Sequence, residues 1–121
     1  MNCILIVDDS PLIRHTLRAL LEQTGNVVCG EAENGMEAVQ KAQELRPDLI
    51  VLDLTMPVMN GLQAARKLKE VLPSVPLVLF TNHATPQLDA EATAAGISLV
   101  RNKSDGIELL VSSIHDLLSV A

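Results

Sequence analysis

Five side chains of this sequence have the types and positions to do chemistry together: Asp8, Asp9, Asp53, Thr81 and Lys103. Carboxylates gathered without a counter-ion repel, and at least one pKa rises. A hard divalent cation relieves that repulsion, and oxygen-only ligands on loops suit Mg2+, which keeps several of its waters. A carboxylate is also a nucleophile able to form an aspartyl phosphate. A threonine hydroxyl donates to a phosphoryl oxygen, and a lysine ammonium sets a compact positive charge against it. Together with a cation they would spread over the oxygens of a transferring phosphoryl group. Singly, most of the five have ordinary roles: Asp8-Asp9 before Ser10-Pro11 caps a helix, Thr81 ends a strand, and Lys103 meets solvent. Asp53 is the exception, because Leu49-Ile50-Val51-Leu52 carries it to the end of a buried strand, where a carboxylate is costly without a partner or a task.

The elements that position these groups alternate along the chain. Short apolar runs over 2–7, 27–32, 49–53, 77–81 and 98–102 read as strands, the last more polar and hence an edge. Helices are expected between them. Ser10 caps the first, with Pro11 at its first position and Leu12, Ile13, Leu17, Leu20 and Leu21 at helical spacing up to Gly25. Asn34-Gly35 opens the second, through about Arg46, and Asn60 caps the third, which carries Leu62, Ala65, Leu68 and Leu72. An Ala-rich fourth helix over 86–95 ends at Gly96, and Asp105 and Glu108 have capping-box spacing ahead of a fifth that runs to the chain end at Ala121. Five β-α units with near-continuous apolar strands predict an α/β fold, a doubly wound five-stranded parallel sheet with helices on both faces. Ligands of such sheets bind at the carboxyl ends of the strands, and four of the five strands end here in an acid, a hydroxyl or a lysine.

Composition narrows the function classes. A length of 121 residues and 48% apolar types fit one domain spanning 1–121. The formal charge is −6, and no basic cluster occurs, which speaks against direct nucleic-acid binding. Phe80 is the single aromatic residue, which excludes modes built on several aromatic platforms. No apolar run reaches membrane-spanning length and no signal peptide is visible, so the expectation is a cytoplasmic protein without membrane contact. Cys3 and Cys29 read as small core hydrophobes of a reduced protein.

Over essentially its whole length the chain resembles the receiver domains of two-component response regulators. The likeness rests on Ile6-Val7-Asp8-Asp9-Ser10, on Asp48-Leu49-Ile50-Val51-Leu52-Asp53 with Met56-Pro57 and Gly61, and on Phe80-Thr81 and Lys103. It implies a flavodoxin-like (βα)5 fold of strand order 2-1-3-4-5, an order the general rule for such sheets gives for a chemotaxis receiver. It further implies Asp53 as phosphoacceptor, and Asp8, Asp9, Asp53 and the Thr55 carbonyl as Mg2+ ligands. Thr81 would sense the phosphoryl group and Lys103 would pair with it. The implied partners are a sensor histidine kinase or phosphotransfer protein and an output domain or partner protein, with a phosphorylation-dependent dimer as one form of output. The kinase would meet the first helix at Leu12, Ile13, His15, Thr16 and Ala19. Asn34-Gly35-Met36-Glu37-Ala38 and Asn60-Gly61-Leu62 are similar to receivers attached to helix-turn-helix outputs.

Three positions depart from the family pattern: Ser104 where a cis-bonded proline is usual, Val100 at the aromatic switch position, and Asn82 where a small alanine is common. None removes a catalytic group. Ser104 should leave the Lys103–Ser104 peptide trans, and signalling should rest on Thr81, the loops and the fourth helix, with Val100 a bystander. His15 and His83 lack metal-ligand spacing and read as solvated, and Met56 and Met59 as loop packing. The expected function is a phosphorylation-controlled switch, not a turnover enzyme. The alternatives are a Mg2+-dependent phosphatase with an aspartyl intermediate, which usually wants an acid where Thr55 stands, and an interaction module independent of phosphorylation. A flavin-binding protein ranks last, since no glycine- or hydroxyl-rich loop follows the first strand.

Overall fold

The computed structural model describes residues 2–119. Five strands, β1 (Cys3–Val7), β2 (Val27–Ala32), β3 (Leu49–Leu52), β4 (Leu77–Thr81) and β5 (Leu99–Asn102), alternate with five helices. These are α1 (Pro11–Gln23), α2 (Gly35–Leu45), α3 (Gly61–Val71), α4 (Pro86–Ala94) and α5 (Ile107–Ser119). All strand pairs are parallel, in the order β2-β1-β3-β4-β5. The expected class and strand order are both present, and β5 lies at an edge.

Alternate residues of the strands feed two cores. Ile4, Ile6, Leu49, Val51, Val78 and Phe80 pack with Leu17 and Leu21 of α1 and Leu110 and Ile114 of α5. Leu5, Val7, Ile50, Leu52, Leu77 and Leu79 pack with the small faces of α2 and α3 and with Leu88 and Ala92 of α4. Helix starts follow the sequence closely: the side chains of Ser10, Asn34 and Asn60 each accept the backbone N–H three residues on. Asn60 and Gln63 close a reciprocal capping box. Gly61 is required there by contact, since a Cβ would collide with the carbonyl oxygen of Asp53.

Three details depart from expectation. Cys3 and Cys29 are joined in a disulfide. They were expected as separate thiols, but a register shift between Ile4 and Leu5 in the β1–β2 pairing brings their Cα atoms to 5.4 Å. Cysteine usage therefore gives no support to a reduced compartment. The Asp105–Glu108 box does not form among the described residues. Asp105 instead closes a 3-10 turn (Lys103–Asp105), capped by Asn102 and followed by Gly106 at φ 98°. Leu12, spaced with the apolar face of α1 but also offered to a kinase, is 72% exposed and free for such a contact, whereas Ile13, offered with it, packs inward against the core. The continuation of α5 to Ala121 lies outside the described residues.

Among the described residues no peptide bond is cis, so Lys103–Ser104 is trans as expected. No described helix is long and apolar enough to cross a membrane.

Candidate functional site

The carboxyl ends of the strands gather the five predicted side chains on one edge. Val7 of β1 pairs with Leu52 of β3, so Asp8 and Asp53 emerge side by side where the two strands end. Asp53 donates its N–H to the Val7 carbonyl at 2.9 Å, and Asp8 donates its own to Ala32 at 3.0 Å. Asp8 and Asp53 are buried and Asp9 is exposed. Each of the three offers a carboxylate oxygen, all within 4.8 Å of one another.

Lys103 reaches this cluster from the end of β5. Its Nζ lies 2.9 Å from Asp8 Oδ2 and 3.4 Å from Asp53 Oδ1, and 5.8 Å from the centroid of the Phe80 ring. Asp8 is held by a further bond, since its other oxygen accepts the Ser10 N–H at 2.9 Å. Burial, followed by the charge of Asp8, pushes the Asp53 carboxyl above the usual aspartate range, against the pull of Lys103. Burial alone would lower Lys103, but the carboxylates of Asp8 and Asp53 outweigh it and hold the ammonium above its ordinary pKa.

Thr81 is fully buried at the end of β4, the strand beside β3. Its hydroxyl oxygen accepts the His83 N–H at 3.1 Å, so its own proton is not committed by that bond. Thr55 stands exposed in the loop two residues beyond Asp53. That loop carries Val58 at φ 70°, enclosed by a 2.7 Å bond from the Met59 N–H to the Pro57 carbonyl, a tight three-residue turn unusual for a β-branched residue. His15 and His83 are both exposed. Val100 is half-buried and lines a cavity of about 280 Å³ with Thr85, Asp89 and Arg101. The arrangement can hold a hard cation on oxygen, present one buried carboxylate as a nucleophile and offer an ammonium to an incoming anion.

A family model for the response regulator receiver domain matches residues 4–115. The chain belongs to that family. Receiver domains are the switch modules of two-component signalling, and phosphorylation and Mg2+ are general to them. The chain is 38% identical over 93 residues to chemotaxis protein CheY of Thermotoga maritima, covering 77% of this chain and 78% of that protein. It is 50% identical over 78 residues to protein-glutamate methylesterase/protein-glutamine glutaminase 3 of Hahella chejuensis. That match covers 64% of this receiver but only 22% of the methylesterase. Among solved structures, a LuxR-family two-component response regulator from Aurantimonas sp. SI85-9A1 superposes with a TM-score of 0.93 at 32% identity, over 98% of this chain and 86% of that one.

Sequence patterning did not reveal what holds the first acids in place. Arg14 Nη1 donates to the Asp8 carbonyl at 2.6 Å, and Arg14 Nε donates to Glu31 at 3.0 Å. Arg14 follows two apolar residues on α1, and Glu31 is a single acid in a strand. Only the parallel pairing of β1 with β2 makes them neighbours.

Proposed function

We propose that Asp53 accepts a phosphoryl group from the phosphohistidine of a partner kinase or phosphotransfer protein, and that the phosphorylated domain changes its contacts with an output domain or partner. The observation that carries this reading is the placing of a buried carboxylate beside a lysine ammonium and two further aspartates, where β1, β3 and β5 end. A carboxylate oxygen of Asp53 attacks phosphorus as the P–N bond breaks. The departing imidazole keeps the bonding pair. Before transfer Lys103 balances Asp8 and Asp53, and after it the ammonium pairs with a phosphoryl oxygen. Thr81, its oxygen already accepting from His83, turns its O–H toward another.

Three carboxylate oxygens and no nitrogen or sulfur among the clustered acids fit a hard cation. Asp8, Asp9, Asp53 and the Thr55 carbonyl would hold Mg2+. When bound it supplies positive charge to the transferring group. Thr55 is not an acid, which disfavours rapid hydrolysis and favours a switch over a phosphatase. The first turns of α1 lie beside the acids, and the exposed Leu12, His15 and Ala19, with the half-buried Thr16, form the surface a kinase would meet. The cytoplasm, typical of the family, is the compartment that goes with such a donor.

Incubation with acetyl phosphate and Mg2+, followed by intact-mass analysis, tests the reading. One base-labile phosphoryl adduct is expected. Catalytic release of phosphate without an adduct would indicate the hydrolase instead, and an unmodified, inert protein would indicate an interaction module.

A further inference from the structure

Asp8 and Asp9 sit on the short connection between β1 and α1, and groups from outside that connection bond to it. The Asp8 side chain accepts from Ser10 and Lys103, and its N–H donates to Ala32. Its carbonyl, at the bond leading to Asp9, is taken by Arg14 at 2.6 Å. The Arg14 guanidinium is largely buried and is itself fixed by Glu31 on β2, whose second carboxylate oxygen accepts from Arg18 Nε at 2.8 Å. The Glu31 carbonyl accepts from Lys41 of α2. Glu31 adjoins Ala32, the residue that receives the Asp8 N–H. The peptide groups on both sides of Asp8 are therefore held from one stretch of β2, directly at one end and through Arg14 at the other.

A guanidinium suits this task because its rigid fork serves a carboxylate and a carbonyl at once, which a single ammonium does less well. Outer groups that orient ligands typically alter metal affinity by about 10- to 100-fold when removed. From this geometry we infer that Arg14, anchored by Glu31, is a positioning residue that sets the Asp8–Asp9 peptide so that both carboxylates face the cation site. The inference rests on the metal reading of the acids given above.

Calorimetric Mg2+ titration of the folded full chain, with thermal melting in parallel, separates positioning from mere support. Arg14→Ala and Glu31→Gln should each weaken Mg2+ binding by about 10-fold, and Arg14→Lys should recover part of the loss. Ser113→Ala removes the 2.9 Å bond from Arg101 at the β5 edge, opposite the β2 edge that carries Glu31. It should lower the Tm while leaving Mg2+ affinity at the parental value. Parental affinity in Arg14→Ala, with only a lower Tm, would overturn the positioning role and leave the metal reading intact. If Arg14→Ala does not fold, Glu31→Gln decides by the same comparison. A parent that binds no Mg2+ would remove the metal reading and this inference with it.

Discussion

The two ends of the sheet are built differently. On the β2–β1 side, Glu31, Arg14, Arg18 and Lys41 link two strands and two helices around Asp8, the Cys3–Cys29 disulfide ties the edge strand to its neighbour, and α1 buries Leu17 and Leu21 completely. On the β4–β5 side, α4 has nine residues and buries only Leu88 and Ala92, β5 is half-buried throughout, and cavities of about 280 and 260 Å³ flank Val100 and Arg101. The contrast divides the labour of a switch. The acids need a fixed frame, whereas a surface that responds to phosphorylation needs an element whose alternative packing is within reach.

Truncating one anchor on each side gives the largest expected effects. Leu17→Ala should cost about 3–5 kcal/mol, because its surroundings are close-packed, and Leu88→Ala should stay near 2 kcal/mol, because α4 can settle inward. Urea denaturation measures both. Equal losses would break the contrast between a rigid and a yielding side.

A smaller effect is expected at Glu31. Burial would raise its carboxyl, but bonds to Arg18 and Arg14 outweigh that and hold it below the ordinary glutamate range. A depressed carboxylate contributes stability at neutral pH that is lost as pH falls through its folded pKa. Since the group is partly exposed, Glu31→Gln should cost about 1 kcal/mol at neutral pH. The difference from the parent should shrink on acidification through the carboxylate range. Thermal melts across that range check this, and a gap that widens toward acid would contradict it.

The smallest effect is predicted at Val100. Its branched side chain has few rotamers and sweeps little volume, so it makes a poor moving part. Thr81→Ala should abolish most of the phosphorylation-dependent change in partner binding or dimerisation, whereas Val100→Ala should leave most of it. Loss of the response in a folded, phosphorylated Val100→Ala protein would move the signal onto β5.

Topology was legible in the sequence because each strand is a short apolar run bounded by caps with a mechanism, as at Ser10, Asn34 and Asn60. The candidate site was legible because Asp53 and Thr81 end apolar strands that leave them nowhere else to go. What escaped depends on register or on distant partners. A one-residue shift opposite Ile4 and Leu5 decides whether Cys29 meets Cys3, and no pattern in β2 announces it. Arg14 reads as one polar position on a helix until β2 brings Glu31 beneath it. The turn at Lys103–Asp105 escaped for a local reason: Asn102 accepts from both the N–H and the hydroxyl of Ser104, and so wins the chain for a 3-10 turn before Asp105 can cap a helix.

The proposed switch turns on Asp53 as the phosphoryl acceptor. Asp53→Asn keeps the size of the side chain and removes a carboxylate for which burial and the charge of Asp8 outweigh the pull of Lys103, so the variant should melt no lower than the parent. The direct measurement is intact mass and peptide mapping of both proteins after acetyl phosphate and Mg2+. One adduct is expected on the parent, in the peptide that contains Asp53, and none on folded Asp53→Asn. An adduct of equal yield on the variant would contradict that assignment.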